Sequence, residues 1–411
     1  MRRPRLATAA LAVAVAAAVA AAIPLTAHPA RAAGGLTRTT GFGTNPGALN
    51  MYSYLPANLP AHAPLVVALH GCTQSANDYY SHSGWPKYAD LWGFALVFPE
   101  QPSMTSPIMN CFDWGTPSND TRGNGEALSI YQMVQYAISH YGVDPNRVYV
   151  TGLSAGAGMT SDLLADYPDV FAAGSIDSGP PAQCSTSGIM GTSCTTANTN
   201  NKTPQQWGDL VRGSYPGYHG PWPRVAIWQG TADTMVAPVA MAESRDQWTN
   251  VWGIGQTPSS RQSLPGGTTL SIYNDAHGTP AVETYEISGM KHGLAVHPGS
   301  GVDQCGAAAQ YYLDYICSSY HTAKFFGLDG GSPAPGPTPP TPSPTASPTS
   351  SPQPCFTADN YRQTAAGRAH QSLGYVYANG SDQPMGLWNT LVVHTLRQTG
   401  PDYYVIADGE C

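Results

Sequence analysis

Charge is scarce in this 411-residue sequence: 18 Lys and Arg with 26 Asp and Glu make up 11% of the chain, for a net charge of −8. No basic run or patch occurs, so nucleic acid is not expected as a partner. Neither a CxxC nor an HExxH motif is present, which removes the usual spacings of a zinc site. No metal and no organic cofactor is expected. Beyond residue 23 no stretch approaches the ~18 apolar residues of a membrane span, so no membrane-embedded domain is expected either. No internal repeat of ~20–50 residues is evident.

The N-terminus does carry an apolar run, from Leu6 to Ile23, preceded by Arg2, Arg3 and Arg5 and followed by Ala30-Arg31-Ala32. A basic start, an apolar middle and a small-x-small cleavage site make an export signal, predicted to occupy residues 1–32. The mature protein is then expected to be secreted and extracellular, and monomeric. Low charge with 44 Gly, 37 Pro and 23 Tyr fits a compact, loop-rich extracellular chain. Eight cysteines in an exported chain read as four disulfides. Cys355 and Cys411 bracket the last segment and are expected to pair. Cys184 with Cys194 and Cys305 with Cys317 are near enough to close small loops, which leaves Cys72 with Cys111.

The clearest boundary is Gly331–Pro354, where ten of 24 residues are proline and nearly all the rest are Ser, Thr, Ala or Gly. Such a stretch has nothing with which to build a core and favours extended polyproline conformations. It is read as a linker between a catalytic domain over 33–330 and a small domain over 355–411. In the large domain, Pro64–Leu69 and Phe94–Phe98 are short continuous apolar runs. These are expected of strands buried on both faces. Arg147–Val150, Val225–Trp228 and Thr284–Ile287 read as further strands. Glu126–Tyr141 has apolar residues at helical spacing, and Met159–Ala165 reads as helix. Strands separated by helices predict an α/β fold with a mainly parallel central sheet.

Gly152-Leu153-Ser154-Ala155-Gly156 falls where one of those strands meets a helix. A strand–GxSxG–helix junction holds its serine on a sharp turn, and the flanking glycines let neighbouring backbone pass without meeting a Cβ. Ser154 is therefore the predicted nucleophile. A serine hydroxyl needs a base and the base needs an orienting carboxylate. In this type of junction the chain order is Ser, then acid, then His. The strand at Val225–Trp228 runs into Gln229-Gly230-Thr231-Ala232-Asp233, and that at Thr284–Ile287 into Ser288-Gly289-Met290-Lys291-His292. Asp233 and His292 are the predicted acid and base. The rivals Asp246, Asp275 and Asp303 do not follow a strand and glycine turn, and His297 lies five residues further out. The backbone N–H of Ala155 and that of Cys72, after His70-Gly71, are the predicted oxyanion donors. His70 is expected to support that loop.

At these residues the sequence resembles the extracellular poly(3-hydroxybutyrate) depolymerases, within the wider PHB-depolymerase-like esterases of the α/β-hydrolase fold. The matching stretches are Leu69–Gln74, Gly123–Ile130, Gly152–Gly156 and Gly289–Gly299. His70 precedes Ser154, as in one of the two catalytic orders of that family. Gly367–His370, Tyr377–Ser381 and Tyr403-Tyr404 resemble the small polymer-binding domain of such enzymes. The resemblance implies a serine carboxylic-ester hydrolase acting on an insoluble polyester surface, poly(3-hydroxybutyrate) or a short-chain polyhydroxyalkanoate. Feruloyl and acetylxylan esterases share the catalytic motifs and are the alternative. Independently of that resemblance, the tail has seven aromatic residues in 57 and β-rich stretches at Leu391–Val393 and Tyr403–Ile406. It is too small for a large core and needs its disulfide.

Overall fold

The apolar runs form the middle of a ten-stranded sheet in the computed structural model. The structure describes residues 35–102, 110–189, 193–197, 202–330, 354–372, 374–381, 383–400 and 403–409. The expected export signal, the body of the linker and Cys411, with its expected bond to Cys355, lie outside them. In chain order the large unit contains β1 (Thr37–Thr39), β2 (Asn50–Tyr54), β3 (Leu65–Leu69), α1 (Ala76–His82), α2 (Trp85–Trp92), β4 (Ala95–Glu100), α3 (Pro117–Asp120) and α4 (Gly125–Tyr141). Then follow β5 (Val148–Leu153), α5 (Ala155–Asp166), β6 (Ala173–Asp177), α6 (Pro204–Ser214), β7 (Arg224–Gly230), α7 (Val239–Val251), β8 (Ser260–Leu264), β9 (Thr268–Asn274), β10 (Pro280–Ile287), β11 (Leu294–Val296), β12 (Tyr312–Asp314) and α8 (Ser318–Phe326).

The sheet runs β1-β2-β4-β3-β5-β6-β7-β10-β9-β8. The six strands from β4 to β10 in that order are parallel, and the outer two on each side are antiparallel. The pleat sends alternate residues of β3 into two separate layers. Leu65, Val67 and Leu69 pack with Ile130 and Met133 of α4 and Leu163 of α5. Val66 and Ala68 pack on the other face with Tyr88 of α2 and Phe326 of α8. A sheet covered on both faces explains why these strands read as unbroken apolar runs.

Several elements differ from the sequence reading: β10 begins at Pro280, four residues before Thr284, and β5 runs on past Val150 to Leu153. Helix α5 starts at Ala155, four residues before the expected Met159. Gly156 and Gly158 weaken the helical signal, yet both are needed there. A Cβ at Gly156 would lie 2.6 Å from the Leu69 carbonyl oxygen, and one at Gly158 would strike the Trp114 ring. The hairpin β8–β9 was not foreseen because β8 is largely exposed and polar.

Disulfides join Cys72 to Cys111, Cys184 to Cys194 and Cys305 to Cys317. No helix among the described residues is long and apolar enough to cross a membrane.

The chain divides into two units between Thr338 and Pro339. The second holds two three-stranded sheets, β13 (Cys355–Asp359) with β17 (Val393–Gly400) and β18 (Tyr403–Ile406), and β14 (Ala369–Ser372) with β15 (Tyr375–Ala378) and β16 (Pro384–Leu387). Helix α9 (Asn360–Ala365) joins β13 to β14. Its core is small: Ala369, Val376, Ala378, Met385, Leu396 and Tyr404. Leu391 and Val392 precede β17 instead of forming strand, because the Asn389 side chain accepts from both of their N–H groups in a turn.

Asp177, at the C-terminal end of β6, is buried, and among the described residues only the Thr151 and Ser175 hydroxyls donate to its carboxylate. Burial raises its pKa to about 7; Glu126, raised mainly by burial to about 8, behaves alike. Such a group keeps its proton in the folded state when the unfolded chain has lost it, so its contribution to stability is greatest below about pH 4 and declines as pH rises towards 7. The full effect of Asp177 is on the order of 4 kcal/mol. Asp177→Asn is expected to leave the melting temperature at about pH 3.5 nearly unchanged and raise it at about pH 8, measured by calorimetry. Parallel pH profiles for the two proteins would show that Asp177 is already ionised in the fold.

Candidate active site

β3 and β5 are neighbours, with Leu69 opposite Gly152, so the loops leaving their C-terminal ends meet. Ser154 stands in the tight turn between β5 and α5 at φ 58°, ψ −117°, a conformation few non-glycine residues adopt. Its N–H donates to the Asp177 carbonyl at 3.0 Å. It holds the N-cap position of α5, yet its hydroxyl makes no capping bond. A serine at that position ordinarily spends its oxygen on the first turn of the helix; here the turn leaves it to the cleft. The Ala155 N–H begins α5, where the helix end favours negative charge.

The β3 loop makes a turn over Gly71–Gln74, closed by Gln74 N–H donating to Gly71 O at 3.3 Å. Thr73 sits in it at φ 64°, an outlier for a β-branched residue. Gly71 N–H donates to the Gln74 side-chain oxygen at 2.8 Å, and the Tyr312 hydroxyl meets the same oxygen at 3.3 Å. His70 is fully buried beneath. Its Nδ1–H donates to Gly71 O at 2.7 Å, and its Nε2 accepts from Gln101 N–H at 3.1 Å. Those two bonds specify a neutral imidazole, and burial lowers its pKa. Glu126 extends the support, accepting from the Gln101 side chain and from Asp113 N–H. The Cys72–Cys111 disulfide pins the loop from its other side. No hydrogen bond among the described residues takes the Cys72 or the Ala155 N–H.

β7 and β10 are also parallel neighbours, with Gly230 opposite Ile287. Their loops are joined by Thr231 N–H to Ile287 O, Ala232 N–H to Met290 O and Gly289 N–H to the Thr231 hydroxyl. This stitching brings Asp233 to His292, with Oδ2 accepting from Nδ1 at 2.8 Å in a buried pair. The rest of the carboxylate is filled as well. Met235 and Val236 N–H both donate to Oδ1 at 2.9 Å, and the Gln229 amide donates to Oδ2 at 3.0 Å. Four donors fix its orientation.

Ser154 and His292 line one cavity of about 70 Å³ with Gly71, Cys72, Thr73, Gln74, Leu153, Met235 and Tyr311. The structure thus brings Ser154, His292 and the Cys72 loop to one cleft, with Asp233 behind His292 and Ala155 next to Ser154. It leaves the rivals elsewhere. His297 pairs with Asp314 on the surface, Asp246 with Arg245 on α7, Asp275 caps its own turn and Asp303 is exposed. Gln229, Met235 and Tyr311 were not singled out from sequence. Gln229 carried a weak signal, being polar at the end of a buried strand; Tyr311 carried none. Among the described residues no group of three His, Cys, Asp or Glu side chains could hold a metal ion.

A family model described as esterase PHB depolymerase matches residues 49–262. Poly(3-hydroxyalkanoate) depolymerase C of Paucimonas lemoignei is 49% identical over 296 residues, covering 72% of this chain and 70% of that protein. An acetylxylan esterase of Coprinopsis cinerea is 40% identical over 278 residues, 66% of this chain and 71% of that one. Feruloyl esterase B of Talaromyces stipitatus is 39% identical over 267 residues, 63% and 72% of the two chains. The solved acetyl xylan esterase from Aspergillus awamori superposes with a TM-score of 0.57 at 32% identity, covering 63% of this chain and 94% of that one. With its α/β-hydrolase fold, the chain belongs to the PHB depolymerase family of esterases.

Proposed function

We propose that the chain is a secreted serine esterase that hydrolyses poly(3-hydroxybutyrate) or a short-chain polyhydroxyalkanoate through Ser154, His292 and Asp233. The buried Asp233–His292 pair set beside a strained Ser154 in one cleft carries the reading. In this mechanism His292 Nε2 takes the Ser154 proton as Oγ attacks the ester carbonyl. Asp233 holds Nδ1–H and stabilises the imidazolium. The oxyanion falls to the Ala155 and Cys72 N–H groups, each worth ~2.7–4 kcal/mol of barrier. The imidazolium then protonates the leaving alcohol, and water, activated by the same nitrogen, frees the acyl group. Neutral His70 acts through the Gly71 carbonyl, not on substrate.

Polyester is favoured over feruloyl or acetylxylan esters by the 49% identity to the Paucimonas lemoignei depolymerase, against 39% and 40% to the Talaromyces and Coprinopsis esterases. The tail supports it too. Four of its seven aromatic rings, Tyr361, Tyr375, Trp388 and Tyr403, are exposed, as are Leu387 and Leu391. Tyr375 lies opposite Leu387 in the β15–β16 ladder, and the Tyr361 and Trp388 rings are 5.5 Å apart. Aromatics with an apolar body and a polar tip suit adsorption to a polyester surface. Three disulfides fit an oxidising compartment.

Ser154→Ala is expected to fold like the parent and lose hydrolysis of a soluble p-nitrophenyl ester; substantial residual turnover would reject the nucleophile. Asp233→Asn should lower kcat by roughly 10⁴-fold, and a near-parental rate would place the acid elsewhere.

Removal of residues 355–411 is expected to spare soluble-ester turnover while reducing adsorption to polymer granules and clearing of polymer film. Equal loss on soluble and solid substrates would make the tail an integral element of the catalytic fold. Release of ferulate or acetate from xylan, without film clearing, would favour the carbohydrate-esterase alternative.

A further inference from the structure

We propose that Tyr311 is a specificity-determining residue of the cleft, its ring forming the wall against which the aliphatic chain of the ester packs. This rests on the reading of Ser154, Asp233 and His292 given above.

Tyr311 breaks a local rule. Ala309–Tyr312 is a tight turn in which Tyr312 N–H donates to Ala309 O and Ala309 N–H to Tyr312 O, both at 3.0 Å. Tyr311 takes its third position at φ 66° while Gln310 keeps a negative φ. That sign pattern is the type II turn, whose third position is ordinarily glycine or asparagine. A bulky aromatic there is strained, and strain retained against an easy alternative points to a use for the side chain.

The surroundings enforce the strain. Tyr311 O accepts from Leu294 N–H at 2.8 Å, two residues past His292. The next residue pairs with Leu294 in the parallel β11–β12 ladder. Cys305–Cys317 closes the loop that contains the turn. The two adjacent tyrosines then divide the work. Tyr312 points inwards, is buried and meets Gln74 of the oxyanion loop. Tyr311 points outwards, lining the cavity with Ser154, and its ring stands edge-on to the His292 imidazole at 6.0 Å and 75°. No hydrogen bond to its hydroxyl occurs among the described residues, so the ring face and edge are what it offers. Leu153 and exposed Met235 line the same cavity, giving apolar walls around a reacting carbonyl. An aliphatic acyl chain is the portion of a substrate that such walls hold.

Kinetics on p-nitrophenyl acetate, butyrate and hexanoate separates this role from a structural one. Tyr311→Gly and Tyr311→Asn suit the turn better than tyrosine, so both are expected to melt no lower than the parent. For butyrate and hexanoate their kcat/KM is expected to fall about tenfold, mostly through KM, and for acetate less than about threefold. Tyr311→Phe, which keeps the ring, should recover most of that loss. A uniform fall across chain lengths, or none in either turn-compatible variant, would overturn the proposal. Covalent labelling by an alkyl fluorophosphonate, lost in Ser154→Ala and kept in the Tyr311 variants, shows separately that the nucleophile assignment stands. If Ser154→Ala is still labelled and active, that assignment fails on its own.

Discussion

Gly156 lies where the first turn of α5 meets the end of β3, so close that a methyl group would fall 2.6 and 2.5 Å from the Leu69 and His70 carbonyl oxygens. The site depends on that approach. It lets the helix start directly above the sheet and forces the chain through the Ser154 turn. It also sets the Ala155 N–H beside the loop that carries Cys72. Gly152, near the end of β5, is held just as tightly: a Cβ there would meet the Gly156 carbonyl. Any side chain at either position would push the helix outwards, separating Ser154 from the loop that carries Cys72 before either had been altered. The cost of this contact is spread over neighbours that also depart from easy backbone geometry. Ser154, Thr73 and Tyr311 all line one cleft and hold positive φ values, and such strain persists only where surrounding structure over-determines it.

What over-determines it is the parallel sheet. Adjacent parallel strands place their following loops side by side, so β3 with β5 and β7 with β10 supply two facing pairs of loops. The first pair is braced from below by a chain of polar contacts. His70 holds the Gly71 carbonyl, Gln101 holds His70, and Glu126 holds Gln101. The second pair is stitched by backbone bonds, and Ser178 ties it to the end of β6 by donating to Gly293 O. Buried polar groups in such chains rigidify a site only when each has a partner. Removing the Gln101 side chain would take a donor from Glu126 Oε1, while the N–H of residue 101 would still serve His70.

Much of the fold was legible before any coordinate. Strands buried on both faces read as apolar runs, and the residues proposed as nucleophile, acid and base each follow a strand, which leaves a signature in chain order. Asp233 could be told from Asp246 because a strand and a glycine precede only the former. The helices α1, α2, α6, α7 and α8 were harder, since their buried faces mix Tyr, Trp, Ser and Gln with few aliphatic residues. Asp177 shows a different limit. It too ends a parallel strand, one place nearer the nucleophile along the sheet, and nothing local distinguishes it from a catalytic acid. Only the fold shows its carboxylate turned down onto Thr151 and Ser175. Tyr311 is the extreme case: it stands where turn chemistry asks for glycine, so local rules read it as unremarkable loop.

The esterases that share this fold and family act, by their names, on different acids, so on the proposed mechanism what separates them lies outside Ser154, Asp233 and His292. Two places remain, the walls of the cleft and the tail with its exposed aromatic rings, and they address different problems. A small cleft of about 70 Å³ can select an acyl unit but has no means of finding one in a solid. An exposed aromatic surface can adsorb to a solid but cannot choose a bond. On the proposed function, joining the two by a Pro-rich spacer would convert a search through bulk solvent into a search over a surface, raising the effective concentration of ester at the cleft without any new contact in it. Low overall charge suits the same end, since a strongly charged enzyme would lose hydration energy on approaching an uncharged polymer. On this reading the cleft is free to be narrow because adsorption is handled elsewhere, and selectivity for the acyl chain and affinity for the surface can change independently.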